Sequence, residues 1–309
     1  HFRPTKETPV ISSPLRPRLV MWLCLALGGA VQAQPLDGTL KKVQETGVVT
    51  VATRTASVPF NYLDDDNRQA GYAWEIAMRI VERMKQATGR ADLKLRTIEV
   101  TPQTRIPLVA NQTVDIECSS TTHNLERENQ VSFSVSYFAT GARLLVKAGS
   151  PIRNWKDLKG MNVVVGAGTT TERLLRQMNE QQQLGAVVML APDINEGFLM
   201  LESGRAAALM QDAVGLYAVG ARLRNPDQWQ VVADALEPEV YGCMMRKGDA
   251  AFKQLVDQTI VGMMKSGEMR QLYDKYFNAP LKLRGGLNLN MPMQPLIDQL
   301  IRNPSDRVL

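Results

Sequence analysis

The segment "TVDIECSSTTHNLER", residues 113–127, joins a short strand-like run to a dense polar cluster. Its first six residues favour a buried β-strand. Two serines, two threonines and Arg127 follow within nine residues. A loop in solvent needs no such concentration of hydroxyl groups beside a guanidinium. A site for a small anion does need it, because both groups donate hydrogen bonds to carboxylates.

Polar clusters also follow two further predicted strands. The run "GVVTVAT" (47–53) leads into "ATRTASVPF", and "NVVVGAG" (162–168) leads into "GAGTTTE". In open α/β sheets, small molecules bind beyond the carboxyl ends of strands, where helix N-termini point their amide hydrogens outward. The three clusters together predict a small-molecule cleft between two lobes.

Helical patterns alternate with the strands in both halves of the chain. The first, residues 74–89, ends at Gly89, which suits a C-terminal cap. Its apolar face is formed by Ala77, Ile80, Val81 and Met84. A later helix is predicted to begin near Thr171, with Glu172 in its first turn. This alternation predicts an α/β fold with mostly parallel sheets.

The composition is that of a globular protein with room for two domains. The chain has 309 residues, of which 44% are hydrophobic and 22% charged. Its pI is near 9.1. The first 33 residues hold four bases and one acid, and subtracting them from 36 and 31 leaves 32 bases and 30 acids. Because the basic excess lies largely in this leader, no nucleic-acid partner is predicted.

The leader, residues 1–33, has the order of a secretory signal. Arg16 and Arg18 precede a twelve-residue apolar run, and small residues end at Ala33. Twelve residues are too few to span a bilayer, which takes about 20 helical residues. We therefore predict a cleaved signal peptide and a periplasmic mature protein. The alternatives are a membrane anchor and a buried helix.

Two cysteines remain after the leader, Cys118 and Cys243. In an oxidising compartment, an even pair favours a disulfide. The bond would close a loop of about 125 residues, which stabilises a fold by about 4–5 kcal/mol on the entropic view. The alternative is a pair of buried free thiols, which pack as small hydrophobic side chains.

A free amino acid needs two kinds of partner in such a cleft. Its carboxylate needs an arginine fork and hydroxyl donors, which Arg127, Ser120 and Thr122 can supply. Its ammonium needs a carboxylate. Asp212 follows the strand-like run "AAALMQ" and precedes a helix, so it suits either the ammonium or a helix N-cap. Beside the other clusters, contact with the ligand is the stronger interpretation.

Arg54 and Arg105 exceed what one α-carboxylate needs. Each follows a strand or begins a helix, and helix N-termini disfavour positive charge. We interpret the two arginines as partners of an acidic ligand side chain. The alternative is a pair of solvated loop arginines.

Enzyme and metal constellations find little support in the sequence. His123 is the sole histidine after the leader, and a solvated loop position suits it better than a Ser-His-Asp triad. Neither CxxC nor HExxH spacing occurs, so no metal or other cofactor is predicted. The run "GAGTTT" lacks the GK[ST] ending of a phosphate loop.

Five motifs resemble those of one family: "GVVTVATRTASVPFNY", "TRIPLVANQTVDIECSSTTHNLER", "DLKGMNVVVGAGTTTE", "LESGRAAALMQD" and "YGCMMRK". In this order they are similar to the periplasmic glutamate/aspartate-binding proteins, which are receptors for ABC transporters of polar amino acids. The resemblance covers essentially the whole chain after the leader.

The resemblance implies a type II periplasmic binding fold, in which two lobes close on the ligand. It places two crossing strands near residues 141–145 and 239–243. Lobe 1 would comprise residues 34–142 and 242–309, and lobe 2 would comprise residues 143–241. It also implies a monomer that delivers its ligand to a membrane ABC permease.

The resemblance further assigns roles to the site residues. Ser120, Thr122 and Arg127 correspond to contacts with the α-carboxylate and the ammonium of the ligand. Lobe 2 would add Thr170 for the α-carboxylate and Asp212 for the ammonium. These roles agree with those inferred from the residues alone.

Arg54 and Arg105 correspond to the arginines that hold an acidic side chain in those receptors. Two positions depart from the family pattern: Pro102 stands where relatives have a serine, and Ile194 where the acidic-specific receptors carry a histidine. A lost hydrogen bond to a charged group costs about 1.5–3 kcal/mol. We therefore expect glutamate or aspartate as the ligand, with an altered balance against glutamine and asparagine.

Two other functions would fit the same scaffold. A dehydratase-like enzyme needs a carboxylic acid poised for proton transfer, and Glu117, which adjoins the hydroxyl cluster, is expected to point away from the cleft. A ligand-sensing domain needs an attached membrane or catalytic domain. The sequence therefore predicts a receptor and not an enzyme.

Overall fold

The computed structural model describes His1 and residues 36–236, 238–283 and 286–308. Apart from His1, the predicted leader lies outside these residues. Within the described ranges, no helix combines the length and the apolar character that crossing a membrane requires.

The first part of the described chain, up to residue 140, alternates strands and helices. The longest helix of this part begins at Tyr72. As predicted, Gly89 ends it in the left-handed conformation, with φ of 67°. The elements in chain order are α1 (Gly38–Thr46), β1 (Val48–Thr53), β2 (Ala56–Ser57), β3 (Asn61–Leu63), β4 (Gln69–Ala70), α2 (Tyr72–Thr88), β5 (Lys94–Glu99), α3 (Arg105–Ala110), β6 (Ile116–Glu117), β7 (Thr122–His123), α4 (Leu125–Glu128), β8 (Val131–Phe133) and β9 (Phe138–Thr140).

The middle part of the chain repeats this alternation. Its first α-helix, α5 (Thr170–Gln181), follows strand β11 (Asn162–Gly166) after three residues. The N-cap of this helix is Thr169, whose hydroxyl accepts a hydrogen bond from the Glu172 amide at 3.1 Å. The helix begins at Thr170, so the predicted start near Thr171 is one residue late. The elements are β10 (Ala142–Lys147), β11 (Asn162–Gly166), α5 (Thr170–Gln181), β12 (Val187–Ala191), α6 (Ile194–Glu202), β13 (Ala208–Asp212), α7 (Ala213–Gly220) and β14 (Trp229–Val232), with 3-10 turns at Trp155–Leu158 and Pro226–Gln228.

The last part of the chain returns to the first sheet and ends in helices. Its elements are β15 (Glu239–Tyr241), β16 (Met244–Arg246), α8 (Ala250–Ser266), α9 (Glu268–Tyr273), a π-helical segment (Asp274–Asn278) and α10 (Pro295–Arg302). Ile297, Leu300 and Ile301 of α10 are buried in the same apolar core as strand β1. The C-terminal tail therefore packs as part of that lobe.

Two five-stranded sheets have the same strand arrangement. The sheet of lobe 1 has the order β5-β1-β6-β16-β8, and that of lobe 2 has the order β12-β11-β13-β10-β14. Strands β1 and β11 pair in parallel with both neighbours, whereas β16 and β10 pair antiparallel with both of theirs. Four strands of each sheet thus point the same way. The predicted two-lobe α/β fold with mostly parallel sheets is confirmed.

Lobe 2 shows why its strands read as continuous apolar runs. Val163 and Val165 of β11 lie in one buried cluster, and Val164 between them lies in another. Successive side chains of a strand point to opposite faces, so both faces of this sheet are covered. An uninterrupted valine run is the sequence that such a strand requires.

The chain passes between the lobes in a small separate sheet. Strand β15 pairs antiparallel with β7 on one side and with β9 on the other. The second predicted crossing, at 239–243, contains β15. The first, predicted at 141–145, is placed too late, because Phe138–Thr140 forms the crossing strand and β10 already belongs to the sheet of lobe 2. The exact residues at which the lobes divide stay a prediction.

Cys118 and Cys243 form the predicted disulfide. Their Cα atoms lie 4.3 Å apart across 125 residues of sequence, and both side chains are fully buried. Cys118 directly follows β6, and Cys243 directly precedes β16, so the bond joins two neighbouring strands of lobe 1. It closes the chain around the whole of lobe 2.

Candidate functional site

A cleft between the lobes gathers side chains from the carboxyl ends of strands in both sheets. Lobe 1 contributes residues that follow β1, β5 and β6, and lobe 2 contributes residues that follow β11, β12 and β13. This is the position that the strand-end clusters predict. Eight of the predicted residues line the cleft: Arg54, Pro102, Arg105, Ser120, Thr122, Thr170, Ile194 and Asp212.

Arg54 lies buried at the end of β1 and keeps free hydrogen-bonding capacity. Its backbone N–H donates to Asn61 Oδ1 at 3.0 Å, which fixes the turn after the strand. Its Nη1 is buried and has no hydrogen-bond partner among the described residues. Burial, and then the charge of Arg105, lower the pKa of Arg54 to about 10. Arg54 remains a cation at neutral pH, and it is held at a cost that an anion in the cleft would offset.

Arg105 begins helix α3 and is held by the hydroxyl cluster. Its Nη1 donates to the Ser120 carbonyl at 3.0 Å and to Thr121 Oγ1. Thr121 Oγ1 in turn donates to Glu117 Oε2 at 2.8 Å. The Nε of Arg105, like the Nη1 of Arg54, is a buried guanidinium nitrogen without a hydrogen-bond partner in the described part of the chain. Arg105 is thus fixed on one side and free on the other.

Glu117 stands behind this arginine and not in the cleft. The side chain is fully buried and is not among the residues that line the cavity. The prediction that it points away agrees with this position, but no local pattern indicated its bond to Thr121. Its negative charge raises the pKa of Arg54 and of Arg127, which partly counters the effect of their burial. Glu117 is a buried counter-charge for the arginines.

Arg127 occupies a different position from the other two arginines. It is buried but does not line the cavity, and its Nη1 donates to the Thr122 carbonyl at 2.8 Å. Its Nη2 reaches the Gly168 carbonyl of lobe 2 at 3.4 Å. Burial, and then the charge of Arg105, lower its pKa to about 9. Arg127 therefore connects the two lobes at the edge of the cleft.

Asp212 ends strand β13 with its carboxylate directed at the cleft. The alternative of a helix cap is wrong, because its side chain makes no capping hydrogen bond to α7. The Tyr241 hydroxyl donates to Oδ2, while Oδ1 is buried and without a partner among the described residues. Burial, and then the charge of Glu239, raise the pKa of Asp212 to about 7. This carboxylate would be stabilised by a cation bound at Oδ1.

Two threonine hydroxyls, one from each lobe, meet at a single carboxylate. Thr122 Oγ1 donates to Glu239 Oε2 at 2.6 Å, and Thr170 Oγ1 donates to the same oxygen at 2.9 Å. Glu239 itself is buried on the crossing strand β15 and does not line the cavity. The two threonines therefore line the cleft with Glu239 behind them.

The two positions that depart from the family pattern both face the cleft. Pro102 lies in the loop between β5 and α3, and Ile194 is the first residue of α6. Ile194 packs tightly against α7, since a Cβ on Gly215 would lie 3.1 Å from Ile194 Cδ1. At these positions the wall of the cleft is apolar.

The sequence interpretation missed three residues of the site. Ser57 lines the cleft and shares a hydrogen bond of 2.9 Å with Ser120, although only its segment, "ATRTASVPF", carried a signal. Glu239 and Tyr241 lie two residues apart on β15 and so face the same side. Their partners are 117 and 29 residues away in sequence, so no local pattern could identify them.

His123 differs from its expected solvated position. It lies in β7, only 2% exposed, and stacks on Phe133 with ring centroids 4.5 Å apart. Its Nε2 bonds Glu128 Oε1 at 2.6 Å, and it does not line the cleft. Strand β7 pairs with β15, which is far away in the sequence, so no local pattern could show that His123 lies in a sheet. Across the described ranges, no group of three or more metal-ligating side chains occurs.

Comparison with known proteins agrees with this architecture. Residues 49–279 match the model of the bacterial extracellular solute-binding proteins, family 3. The chain belongs to this family. It is 48% identical over 282 residues to the L-glutamate/L-aspartate-binding protein of Pseudomonas aeruginosa, covering 91% of this chain and 93% of the relative. It is 42% identical over 292 residues to a glutamate/aspartate import solute-binding protein of Salmonella typhimurium, covering 94% and 96%.

Solved structures of other amino-acid-binding proteins share the fold. An ancestral arginine-binding protein bound to glutamine aligns with a TM-score of 0.68 at 26% identity, covering 75% of this chain and 98% of that one. The solute receptor for L-cysteine of Neisseria gonorrhoeae aligns with a TM-score of 0.68 at 24% identity, over 77% and 93%. The two-lobe frame is therefore common to receptors whose names give different ligands.

Proposed function

We propose that this protein is the periplasmic receptor of an ABC importer and that it captures L-glutamate and L-aspartate between its lobes. One observation carries the proposal. The cleft presents two buried arginine nitrogens, on Arg54 and Arg105, and one buried carboxylate oxygen, on Asp212, that have no hydrogen-bond partner among the residues that the structure describes. Such donors and acceptors match the two carboxylates and the ammonium of an acidic amino acid.

Each ligand group has a set of partners in this proposal. The side-chain carboxylate meets Arg54 and Arg105, since Nη1 of the first and Nε of the second are buried and unpaired in the described chain. The ammonium meets Asp212 Oδ1. Closure of the lobes removes water from all three pairs, which strengthens each of them.

The α-carboxylate meets Arg127, Ser120 and the start of helix α5. The first N–H groups of a helix lack carbonyl partners within it, and a helix N-terminus favours negative charge. Helix α5 starts at Thr170, which lines the cleft. Arg127 joins Thr122 of lobe 1 to Gly168 of lobe 2 at the edge of the cleft, and in this proposal closure of the lobes brings the α-carboxylate to its guanidinium.

The preference between acids and amides depends on the apolar positions. Glutamate/aspartate receptors from Pseudomonas aeruginosa and Salmonella typhimurium support an acidic ligand. Pro102 and Ile194 supply no side-chain donor, so Arg54 and Arg105 carry the selection for a carboxylate. We expect acids to bind more tightly than amides, because an amide leaves both buried arginines without a counter-charge.

The protein acts by binding and not by chemistry in this proposal. The raised pKa of Asp212 has a structural cause, namely burial beside Glu239. An ammonium bound at Oδ1 would keep this group ionised, and an ionised carboxylate cannot act as a general acid. The loaded receptor would act as a monomer, deliver its ligand to a membrane permease and bind no nucleic acid.

Isothermal titration with glutamate, aspartate, glutamine and asparagine tests the proposal, with L-arginine as the control ligand. We expect both acids to bind with dissociation constants near the micromolar range, which corresponds to about −8 kcal/mol. The ligand recovered afterwards should be chemically unchanged. Failure of all four ligands to bind below about 100 μM, or tighter binding of arginine, would contradict the proposal.

A further inference from the structure

Glu239 is a buried acid that the proposed function does not use directly. It lies 9% exposed on β15, and Thr122 and Thr170 stand between it and the cleft. Both hydroxyl oxygens lie within 3 Å of the same carboxylate oxygen, at 2.6 and 2.9 Å. A carboxylate oxygen accepts hydrogen bonds and has no proton to give, so each threonine must donate to it.

These two bonds fix the direction of the hydroxyl groups. A threonine hydroxyl has one proton and two lone pairs. When the proton points back to Glu239, the lone pairs remain for the cleft that both threonines line. The hydroxyl groups of Thr122 and Thr170 then act as hydrogen-bond acceptors towards the cleft, although a threonine hydroxyl can also be a donor.

The same arrangement occurs elsewhere in the molecule with its cation in place. Thr121 Oγ1 donates to Glu117 Oε2 at 2.8 Å and accepts a hydrogen bond from the Arg105 guanidinium. A carboxylate behind a threonine thus turns the hydroxyl into an acceptor for a cation on its other side. Thr122, the next residue along the chain, has the carboxylate of Glu239 behind it and the cleft in front.

We propose that Glu239 is a positioning residue that makes the Thr122 hydroxyl an acceptor for the ligand's ammonium. In this way it selects amino acids against dicarboxylates that lack an amino group. The inference rests on the proposed function. Thr122 and Asp212 then provide two acceptors for the ammonium. The Thr170 hydroxyl is turned away from the α-carboxylate, which is left to the backbone N–H at the start of α5.

A dicarboxylate that carries a keto group in place of the amino group loses affinity in two ways. Its oxygen would face the lone pairs of Thr122 and the carboxylate of Asp212, and all of these groups are acceptors. A site whose buried polar groups are left unpaired rejects such an analogue strongly. The ratio of the affinities for L-glutamate and 2-oxoglutarate therefore reports the direction of the hydroxyl groups.

The Glu239→Gln variant tests the inference, because its amide group can donate to the threonine hydroxyls and release their protons towards the cleft. Isothermal titration should show a loss of glutamate affinity of about tenfold to a hundredfold, and a glutamate to 2-oxoglutarate ratio that falls by at least about tenfold. The exposed Glu82→Gln on α2 is the matched control and should change neither.

A purely structural role of Glu239 would lower the affinities for glutamate and 2-oxoglutarate by the same factor and leave their ratio unchanged. That result would overturn the inference. Thr122→Val in the wild-type background gives a second route if the first variant is unstable. It removes the acceptor and should also reduce the ratio, and an unchanged ratio would count against the inference. If the wild-type protein bound no glutamate, the proposed function would fail and the inference with it.

Discussion

The two lobes share a strand order but differ in the charge that they bring to the cleft. Lobe 1 lines the cleft with the buried cations Arg54 and Arg105 and holds Arg127 at its edge, whereas the buried charged residue that lobe 2 adds to the lining is the acid Asp212. The backbone frame is the same in both, with β1 and β11 at equivalent positions in their sheets. The shared frame therefore brings these side chains together at the cleft, and in the proposed function the residues after each strand determine which ligand group is bound.

The lobes also differ in how they are held together. The disulfide joins two strands of lobe 1, and helix α10 packs into the apolar core of the same lobe. Lobe 2 is built from one continuous stretch of chain around two apolar clusters. We infer that lobe 1 is the rigid half that receives the anionic end of the ligand. Four variants test this division, beginning with the largest expected effect.

Arg127→Ala should abolish binding of acids and amides alike. The variant loses a buried guanidinium that contacts both lobes, through the Thr122 and Gly168 carbonyls. Removing one partner of a buried charge pair costs about 2–5 kcal/mol, so a loss of about a thousandfold is expected by titration calorimetry. Arg83→Ala, an exposed change on α2, is the control. A loss of affinity of less than about tenfold would show that ligand binding does not require the arginine that contacts both lobes.

The Cys118→Ser/Cys243→Ser double variant should destabilise lobe 1 more than lobe 2. Opening a loop of 125 residues is expected to cost about 4–5 kcal/mol of unfolding free energy on the entropic view. Denaturant unfolding measures the total loss, and hydrogen exchange read by mass spectrometry locates it. Strands β1 and β6 should lose protection before β11 and β13. Equal loss in both lobes would contradict the contrast between a cross-linked and an open lobe.

Asp212→Asn should weaken glutamate binding by about a hundredfold, because the ammonium loses its charged partner. The pKa of Asp212 is raised to about 7, and the ammonium binds the ionised form, so wild-type affinity should fall as the pH drops below about 7. The variant should lack this dependence. The groups around Asp212 that also affect its charge are Glu239, Tyr241, Arg105 and Arg127.

Asp212→Asn should weaken glutamate binding but should stabilise the ligand-free protein above neutral pH. A folded-state pKa above the unfolded value favours the protonated form, so stability from this group is lost as the pH rises through about 7. Without ligand, Asp212→Asn should therefore raise the melting temperature at pH 8 and change it little at pH 4. Asp234→Asn, at an exposed position of lobe 2, is the control. If Asp212→Asn bound glutamate as tightly as the wild-type protein and its melting temperature were unchanged, Asp212 would not be part of the binding site.

Ile194→His should have the smallest effect and should strengthen glutamate binding. The added donor lies in lobe 2 on the cleft wall, opposite the arginines of lobe 1. A new hydrogen bond to a carboxylate is expected to improve affinity by up to about tenfold, with less effect on glutamine. Ile194→Leu is the matched control. If glutamate and glutamine changed equally, lobe 2 would not contact the ligand side chain.

Much of the frame could be predicted because local patterns determine it. Valine runs with both faces covered predict strands such as β11, and Gly89 marks the end of α2 through a backbone conformation that glycine adopts freely. The first crossing strand was misplaced because Phe138–Thr140 continues almost directly into β10, and a change of sheet leaves no change in residue type.

The site was predictable only where its chemistry is local. Arg54, Ser120 and Thr170 lie within four residues of a strand end, so their place at the cleft could be inferred from sequence. Glu239 was missed because its bond to Thr122 joins residues 117 positions apart. The place of His123 in a sheet likewise depends on the pairing of β7 with β15, which joins residues far apart in the sequence.

The central claim is that lobe 1 recognises the negative side chain of the ligand through its arginines. The most direct test is the affinity of Arg105→Met for glutamate and for glutamine, measured by titration calorimetry beside the wild-type protein. Removing this buried charge should reduce the preference for glutamate by at least about tenfold, while glutamine loses much less affinity. Equal losses for both ligands would contradict the account.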